Sequence, residues 1–508
     1  MTIHHTTHEV LEAIRKSQSL PQGDPRLLAF GLEKSTFSQP TSATDGLAFY
    51  DLEPGAKFLA PVLTPLRNET PRVSGRGGIQ ANWRAITGIN TNGLRLGVSG
   101  GNRAGVQAVT TADYFASYKG IGLETSVDFE AEYAGVGFDD VRAQAGLRGL
   151  QATMIGEEAL ILGGNNSLAL GVTPTPTLTA SASGGSLASG TLSVICVALS
   201  LDGFINGSVL NGVQSQITRT NADGSTDIFG GGAAQKSTNA TVAVTGPSGV
   251  VAAVVAAVVA TVRGALGYAW FWGAAGSEVL GAITSVNSVS ISATAAGTQT
   301  AASLPGADWS NNALVFDGLL TIALKPGSGS YVASQASGTA GVGTPLTADG
   351  AGGVVEIDAA LKSMWDNYRL SPDTIWVNSQ EALNISKKIL AGAVNSAQRF
   401  IFNAAQDAIG GGVMVRTYLN RFSMSGGSTL DIRVHPNLPA GTILMTARSI
   451  PYPLLGVGNV FQIRTRRDYY QIEWPLRTRR YEYGVYADEV LQHYFPPSLA
   501  VISNIANG

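Results

Sequence analysis

Cysteine is nearly absent: Cys196 is the only one in 508 residues. An intrachain disulfide is excluded, and a small buried thiol is the expected role. Histidine is scarce as well. Three of the five, His4, His5 and His8, sit together at the N-terminus, where a solvated arm is favoured over a metal site. Charged residues make up 14% of the chain, and the net charge of −3 marks no strong nucleic-acid binder. A protein that encloses DNA without gripping it remains compatible with that charge. The longest aliphatic run, Val250 to Val262, stops at Arg263. It falls short of the roughly 18–20 residues a membrane-spanning helix needs, so it reads as a Val-rich buried strand. MTIHHTTHEV lacks the basic, then apolar, then small pattern of a signal peptide, and synthesis in a reducing cytoplasm is expected.

Catalytic signatures are missing too. No H-E-x-x-H, C-x-x-C, EF-hand loop, G-x-S-x-G elbow or dinucleotide fingerprint occurs. GGGAAQKS, starting at Gly230, approaches a phosphate loop, but Gln235 stands where glycine is needed. Asp139/Asp140 and Glu157/Glu158 are acidic pairs, yet neighbours on a helix point to different faces. They read as caps and surface charges rather than a glycosidase pair. No catalytic residue, cofactor or metal is expected.

What the chain does have is one long helical stretch, Asp139 to Leu162. Asp139 or Asp140 suits its start, where a carboxylate meets unpaired N–H groups. Leu147, Leu150, Met154 and Ile161 recur at helical spacing as an apolar stripe. Asp140, Gln144, Arg148, Gln151 and Glu158 form the expected wet face. Gly163-Gly164-Asn165-Asn166 is the expected stop, because Gly and Asn accept the left-handed conformation. About 24 residues would make a beam of about 36 Å.

Residues 1–71 read as an arm and an extended, proline-bearing lead-in, with a short helix from His8 to Ser19. Residues 72–120 read as a basic hairpin turning at Asn92-Gly93. Arg72, Arg76, Arg84, Arg95 and Arg103 are spread through it, and no acidic residue lies between Glu69 and Asp113. Such a hairpin has too little apolar content to fold alone and must lie on another surface. Nucleic acid is one candidate. The favoured one is an acidic protein surface such as Asp139, Asp140, Glu157 and Glu158, which suits the planar arginine fork.

Residues 172–300 follow the stiff linker Thr173-Pro174-Thr175-Pro176 and are rich in Thr, Ser, Gly, Ala and Val. TLSVICVALSLDGF, TNATVAVTG, ALGYAWFWG and SVNSVSISA are strand candidates, as in a β-sandwich of immunoglobulin-like size inserted into a larger domain. Tyr268, Trp270 and Trp272 should share one side of a strand, with Ala269 and Phe271 on the other. Residues 301–445 alternate helices and strands. Ile357, Leu361, Met364, Trp365 and Tyr368 mark one helical face, TIWVN a buried strand, and Ser379 the cap of the next helix. QRFIF, GVMVRTY, TLDIRVH and GTILMTA read as strands. Residues 446–508 are mostly strand, with arginine clusters at Arg464, Arg466, Arg467 and at Arg477, Arg479, Arg480. The overall class expected is α+β.

The order of these parts resembles the tailed-bacteriophage major capsid proteins of the Hong Kong 97-type fold. VDFEAEYAGVGFDDVRAQAGLRGLQATMIGEEALILGGN is similar to the segment leading into and forming their spine helix. VEIDAALKSMWDNYRLSPDTIWVNSQEALNISKKIL is similar to an axial-domain helix–strand–helix unit, and RTRRYEYGVYADEVLQHYFPPSLAVISNI to their C-terminal segment. The resemblance implies an N-terminal arm and lead-in (1–71), an extended loop (72–120), a peripheral domain with the spine helix (121–171), an axial domain (301–445) and a peripheral return (446–508), interrupted by the inserted sandwich (172–300). It implies pentamers and hexamers of one subunit in an icosahedral shell around double-stranded DNA, assembled in the host cytoplasm. Portal, scaffold or decoration proteins would be partners, and no membrane is involved. The extended-loop arginines would meet Asp139, Asp140, Glu157 and Glu158 of a neighbour. No lysine precedes Lys119 in the loop, which gives no ground for a covalent lysine crosslink. A β-rich adhesin binding carbohydrate is the alternative, motivated by residues 172–300. A polysaccharide-degrading enzyme would need a carboxylate pair in a cleft.

Overall fold

The computed structural model describes residues 59–89, 100–101, 109–135, 139–221, 223–245, 253–391, 414–424, 427–452, 456–476 and 478–506. The expected arm helix His8–Ser19, the Asn92-Gly93 turn and the QRFIF strand fall outside them. Two compact units divide the chain, Met1–Ala60 with Glu130–Val141, and Pro61–Phe129 with Arg142–Gly508. In the first, the described residues form most of a short helix, Phe129–Gly135, and the Asp139 amide donates to the Gly135 carbonyl at 2.9 Å.

The second unit opens with a one-and-a-half-turn helix, Pro65–Glu69, whose proline occupies a first-turn position where no N–H is needed. Strand β1 (Arg72–Ser74) follows, then β2 (Gln80–Ile89), β3 (Val109–Ser117) and β4 (Lys119–Asp128). The long helix runs Val141–Gly163. Near the C-terminus come β19 (Phe461–Glu473) and β20 (Arg480–His493). Strands β1, β19, β20 and β4 line up in that order as one sheet, with β1 parallel to β19 and the other pairs antiparallel.

The long helix keeps its expected span but buries a different face. Leu147 is 50% exposed, whereas Gly149, Thr153, Glu157, Glu158, Ile161 and Leu162 are buried. The small residues explain this choice. A methyl at Gly149 would come within 3.3 Å of the Thr125 methyl and 3.5 Å of a Val485 methyl, so the helix lies close on β4 and β20. The expected apolar stripe and the wet position of Glu158 are therefore corrected. The stop also works differently. Neither Gly163 nor Gly164 has a positive φ. A Cβ on Gly164 would overlap the Phe316 carbonyl oxygen, and one on Gly163 the Leu201 side chain. The glycines are required by close approach, not by left-handed backbone.

The described residues of 177–291 build nine strands: β5 (Thr177–Ser181), β6 (Gly190–Leu199), β7 (Gln216–Thr220), β8 (Thr226–Gly230), β9 (Ala240–Val244), β10 (Val254–Val258), β11 (Gly267–Gly273), β12 (Val279–Thr284) and β13 (Ser288–Ile291). One sheet runs β13-β10-β5 and another β12-β11-β6-β9. Val255 and Ala257, Val289 and Ile291 from the first share a core with Val194, Cys196, Tyr268, Trp270 and Trp272 from the second. Ala269 and Phe271 face the other way, into a core with Ile195, Val197, Leu280 and Leu304. The second sheet is thus covered on both faces, which is why SVICVAL reads as an unbroken apolar run. The Val-rich stretch supplies β10. Among the described residues no helix is long and apolar enough to cross a membrane.

The remaining strands are β14 (Tyr331–Ser334), β15 (Thr374–Val377), β16 (Thr417–Asn420), β17 (Ser428–Val434), β18 (Ile443–Thr446) and β21 (Leu499–Ser503). They form a mixed sheet in the order β14-β21-β18-β15-β17-β16. Helix Val355–Tyr368 buries Ile357, Ala360, Leu361 and Met364 and ends at Arg369, whose φ is 55°. Helix Ser379–Ala391 starts one residue earlier than expected. Asn378, not Ser379, caps it, accepting the Gln380 amide at 3.0 Å.

Candidate functional site: a buried charge cluster and a projecting hairpin

Two features stand apart from ordinary packing. The first lies where the segment Pro61–Ser74 crosses the long helix. Two register shifts in β19, at Thr465/Arg467 and Arg467/Tyr470, take Asp468 and Tyr469 out of the ladder. There they meet Arg67, Arg72, Glu157 and Glu489. Arg72 reaches Asp468 and Glu489 at 2.7 Å each, and also Glu157. Arg67 donates to Glu157 at 2.9 Å and to the Tyr469 hydroxyl at 3.0 Å, and that hydroxyl in turn donates to Glu157. The Arg72 guanidinium lies over the Tyr469 ring, 4.7 Å from its centroid. Glu157 and Glu489 are fully buried.

Electrostatics follow from that burial. Burial works to lower the Arg72 pKa, but Glu489 and Glu157 outweigh it and hold it above its ordinary value. Burial first, and the Glu157 charge second, push Glu489 up to about 8 against the pull of Arg72. Tyr469 is raised by burial and by Glu157.

Glu158 faces a separate set of donors. It accepts the amides of Leu66 at 2.9 Å and Arg67 at 2.6 Å, two of the first-turn N–H groups of helix Pro65–Glu69. His435 Nε2 lies 2.6 Å away, and its Nδ1 accepts the Asn437 amide, so Nε2 carries the proton toward Glu158. Glu69, at the other end of that short helix, pairs with Arg433 and, at 3.0 Å, with Arg448. The crossing segment is thus tied to the long helix, to β19 and β20, and to the six-stranded sheet.

The second feature is the β2–β3 hairpin. Trp83 stacks on Tyr114 at 5.9 Å and meets Tyr494 edge-on at 6.0 Å, anchoring one face. The other face carries Asn82, Arg84, Ile86, Thr111, Asp113 and Phe115, all exposed, with Ile86 at 64% and Phe115 at 73%. Arg84 forks onto Asp113, its register partner, at 2.5 and 2.9 Å.

Of the residues singled out from sequence, Arg72 and Glu157 come together within one chain. Glu158 binds the lead-in backbone and His435. Arg84 pairs inside its own hairpin, and Arg76 is exposed. Asp139 and Asp140 belong to the first unit. Arg95 and Arg103 lie outside the described residues. Sequence reasoning missed Glu489, Asp468, Tyr469, Arg67 and His435. The DYY interruption of the alternating pattern after Arg467 is the one local signal for Asp468 and Tyr469. The phosphate-loop near-match is structural: Lys236 Nζ donates to the Ala301 carbonyl at 2.7 Å, and Gly232 admits Gly203. Cys196 is buried, and burial raises its thiol far above the usual range. Among the described residues no three His, Cys, Asp or Glu side chains converge as metal ligands.

No protein-family model and no curated protein matches the chain. Solved structures with similarity include phage and particle capsids. The capsid of the native GTA particle matches over 91% of this chain and 98% of that one, at 9% identity and a TM-score of 0.41. Mycobacterium phage Bobi matches over 89% and 95%, at 9% identity and a TM-score of 0.38. The capsid of Myoviridae phage XM1 matches over the same shares, at 8% identity and a TM-score of 0.38.

Proposed function

We propose that this chain is a major capsid protein of the Hong Kong 97 type. Copies would assemble as pentamers and hexamers of an icosahedral shell around double-stranded DNA, in the host cytoplasm. The carrying observation is the β2–β3 hairpin. A two-stranded sheet with Ile86 and Phe115 on a fully exposed face has no core of its own on that side. A neighbouring subunit that covers this face accounts for both the exposure and the apolar residues. The long helix and the tied-down lead-in suit a rigid base for such a reach.

In this reading residues 72–120 are the extended loop, 121–171 and 446–508 the peripheral domain, and 301–445 the axial domain. Residues 172–300 are an inserted immunoglobulin-like domain. Loop arginines Arg76, Arg95 and Arg103 are proposed to meet Asp139 and Asp140 of a neighbour; Arg72, Glu157 and Glu158 are engaged inside their own chain, and Arg84 is bonded to Asp113 of its own hairpin. Portal, scaffold and decoration proteins are the further partners, and the enclosed DNA is held without sequence preference.

Electron microscopy of protein co-expressed with its neighbouring genes tests this: closed shells, or rings of five and six, are expected. Reversing both exposed loop charges, Arg76→Glu with Arg84→Glu, should stop assembly while circular dichroism stays unchanged. Normal shells from that variant would remove the loop arginines from the contact.

A further inference from the structure

The face of β19 and β20 turned away from Glu489 carries an arginine with no acid to answer it. Arg464 is in register with Val490 on β20 and with Val73 on β1. Side chains alternate along a strand, so Arg464 lies on the face opposite Glu489. Gln462 and Gln492, in register with each other, share that face, and both are buried. Gln492 Oε1 accepts Gln462 Nε2 at 3.1 Å and Arg464 Nη1 at 3.4 Å. Turning the amide over would set its N–H groups against two donors, so Nε2 points away from them. Gln492 is fully buried, yet its Nε2 has no acceptor. Arg464 is half-buried, and its Nε has none either. Among the described residues no carboxylate pairs with Arg464, whereas Arg466 has Asp488 at 2.8 Å and Arg72, on the other face, has Glu157, Asp468 and Glu489. A further buried donor without an acceptor, Trp83 Nε1, belongs to the ring that packs on Tyr494, whose hydroxyl lies 3.3 Å from Gln462 Nε2.

We propose that Arg464 and Gln492 form a binding site for a small oxyanion, a phosphate or a carboxylate group. Side-on, a guanidinium grips such a group through Nε and Nη2 with two parallel hydrogen bonds. Gln492 occupies Nη1 and leaves that edge without an acceptor among the described residues. The Gln492 Nε2 donor stands beside it, on an amide whose orientation two other donors fix. A neutral acceptor would satisfy the N–H groups one by one but would leave the guanidinium charge unmatched. A half-buried charge without a counter-charge is costly, and one negative ligand removes that cost together with the unmet hydrogen bonds. Both requirements, two oxygens close together and a negative charge, are met by the same chemical group. The site belongs to the single chain and does not depend on the capsid reading.

Titration calorimetry of the full chain tests it with inorganic phosphate, acetate and chloride, each at the same ionic strength. Saturable binding of phosphate or acetate is expected, and none of chloride; the oxyanion that binds tighter identifies the group. Arg464→Met should abolish binding, whereas Arg219→Met, at an exposed site, should leave it unchanged. Gln492→Glu sets a carboxylate beside Arg464 and supplies the anion from within, so binding should be lost while the melting midpoint rises. Absence of saturable oxyanion binding, equal binding of chloride, or binding that persists in Arg464→Met would overturn the site and leave water as the acceptor. Should Arg464→Met fail to fold, Arg464→Lys decides. It keeps the charge without the fork, so affinity should fall at least about tenfold. Unchanged affinity in that variant would equally overturn the proposal.

Discussion

Replacing Glu158 by alanine separates the structure from a helical-wheel reading most sharply. On a wet helix face that change would lie within about 0.5 kcal/mol of neutral. In the structure it strands the Leu66 and Arg67 amides and the His435 Nε2 proton, all within 2.9 Å of the lost oxygens. Each buried donor left without an acceptor costs about 1–3 kcal/mol. Local opening of the crossing segment should therefore become easier by about 3–9 kcal/mol. A chain of this size need not unfold in one step, so a global midpoint is the wrong readout. Exchange of the amides in 61–75 reads the local cost directly. Protection should fall by at least two orders of magnitude, since about 1.4 kcal/mol is tenfold. Glu158→Gln, which retains an acceptor oxygen, should lose less. Glu473→Ala, at an exposed site paired to Arg142 at 3.3 Å, should change protection there less than about twofold. A Glu158→Ala protein with protection equal to the Glu473→Ala control would refute the buried-acceptor reasoning.

Other outcomes are expected elsewhere in the chain. Trp270→Ala removes a fully buried ring whose N–H donates to Thr284 at 2.8 Å, and should cost about 3–5 kcal/mol, seen as earlier melting of the 177–291 sheets by calorimetry. Gly164→Ala meets backbone that cannot swing aside, so it should lower the thermal midpoint, whereas Gly156→Ala, with open space around it, should be neutral or stabilising. His493 is completely buried, which holds it down at about 3. Its contribution is full above about pH 6.5 and is lost as pH falls toward 3, because only the unfolded chain takes up the proton there. His493→Leu should narrow the gap between melting temperatures at about pH 4 and pH 7.

Period-two and period-3.6 patterns were readable wherever a single burial event decides them. GYAWFWG alternates between two cores as its sequence says, and VEIDAALKSMWDNY buries Ile357, Leu361 and Met364 of the stripe its spacing marks, with Trp365 and Tyr368 half-buried. The long helix was readable in length but not in orientation. Its buried face is chosen by small residues that admit a sheet and by acids whose partners lie far off in the chain: Leu66 is 92 residues from Glu158, and His435 is 277 away. No local pattern carries such a pairing. Glycines at the helix end suggested the right boundary for the wrong reason, because a close approach by Phe316 is invisible without the fold. The projecting hairpin was legible because its deficit, too little apolar content for a core, is itself a sequence property.

The position of β21 sets a condition on how the chain can be made. This strand, Leu499–Ser503, sits inside its sheet between β14 and β18, and β20 sits between β19 and β4. During synthesis one sheet stays open until β20 clears the ribosome and the other until β21 does, however early the 177–291 strands fold. A truncated product lacking β21 would expose β14 and β18 edges rather than close around the loss. Chaperones and proteases could therefore sort chains that have placed β21 from those that have not by those open edges alone.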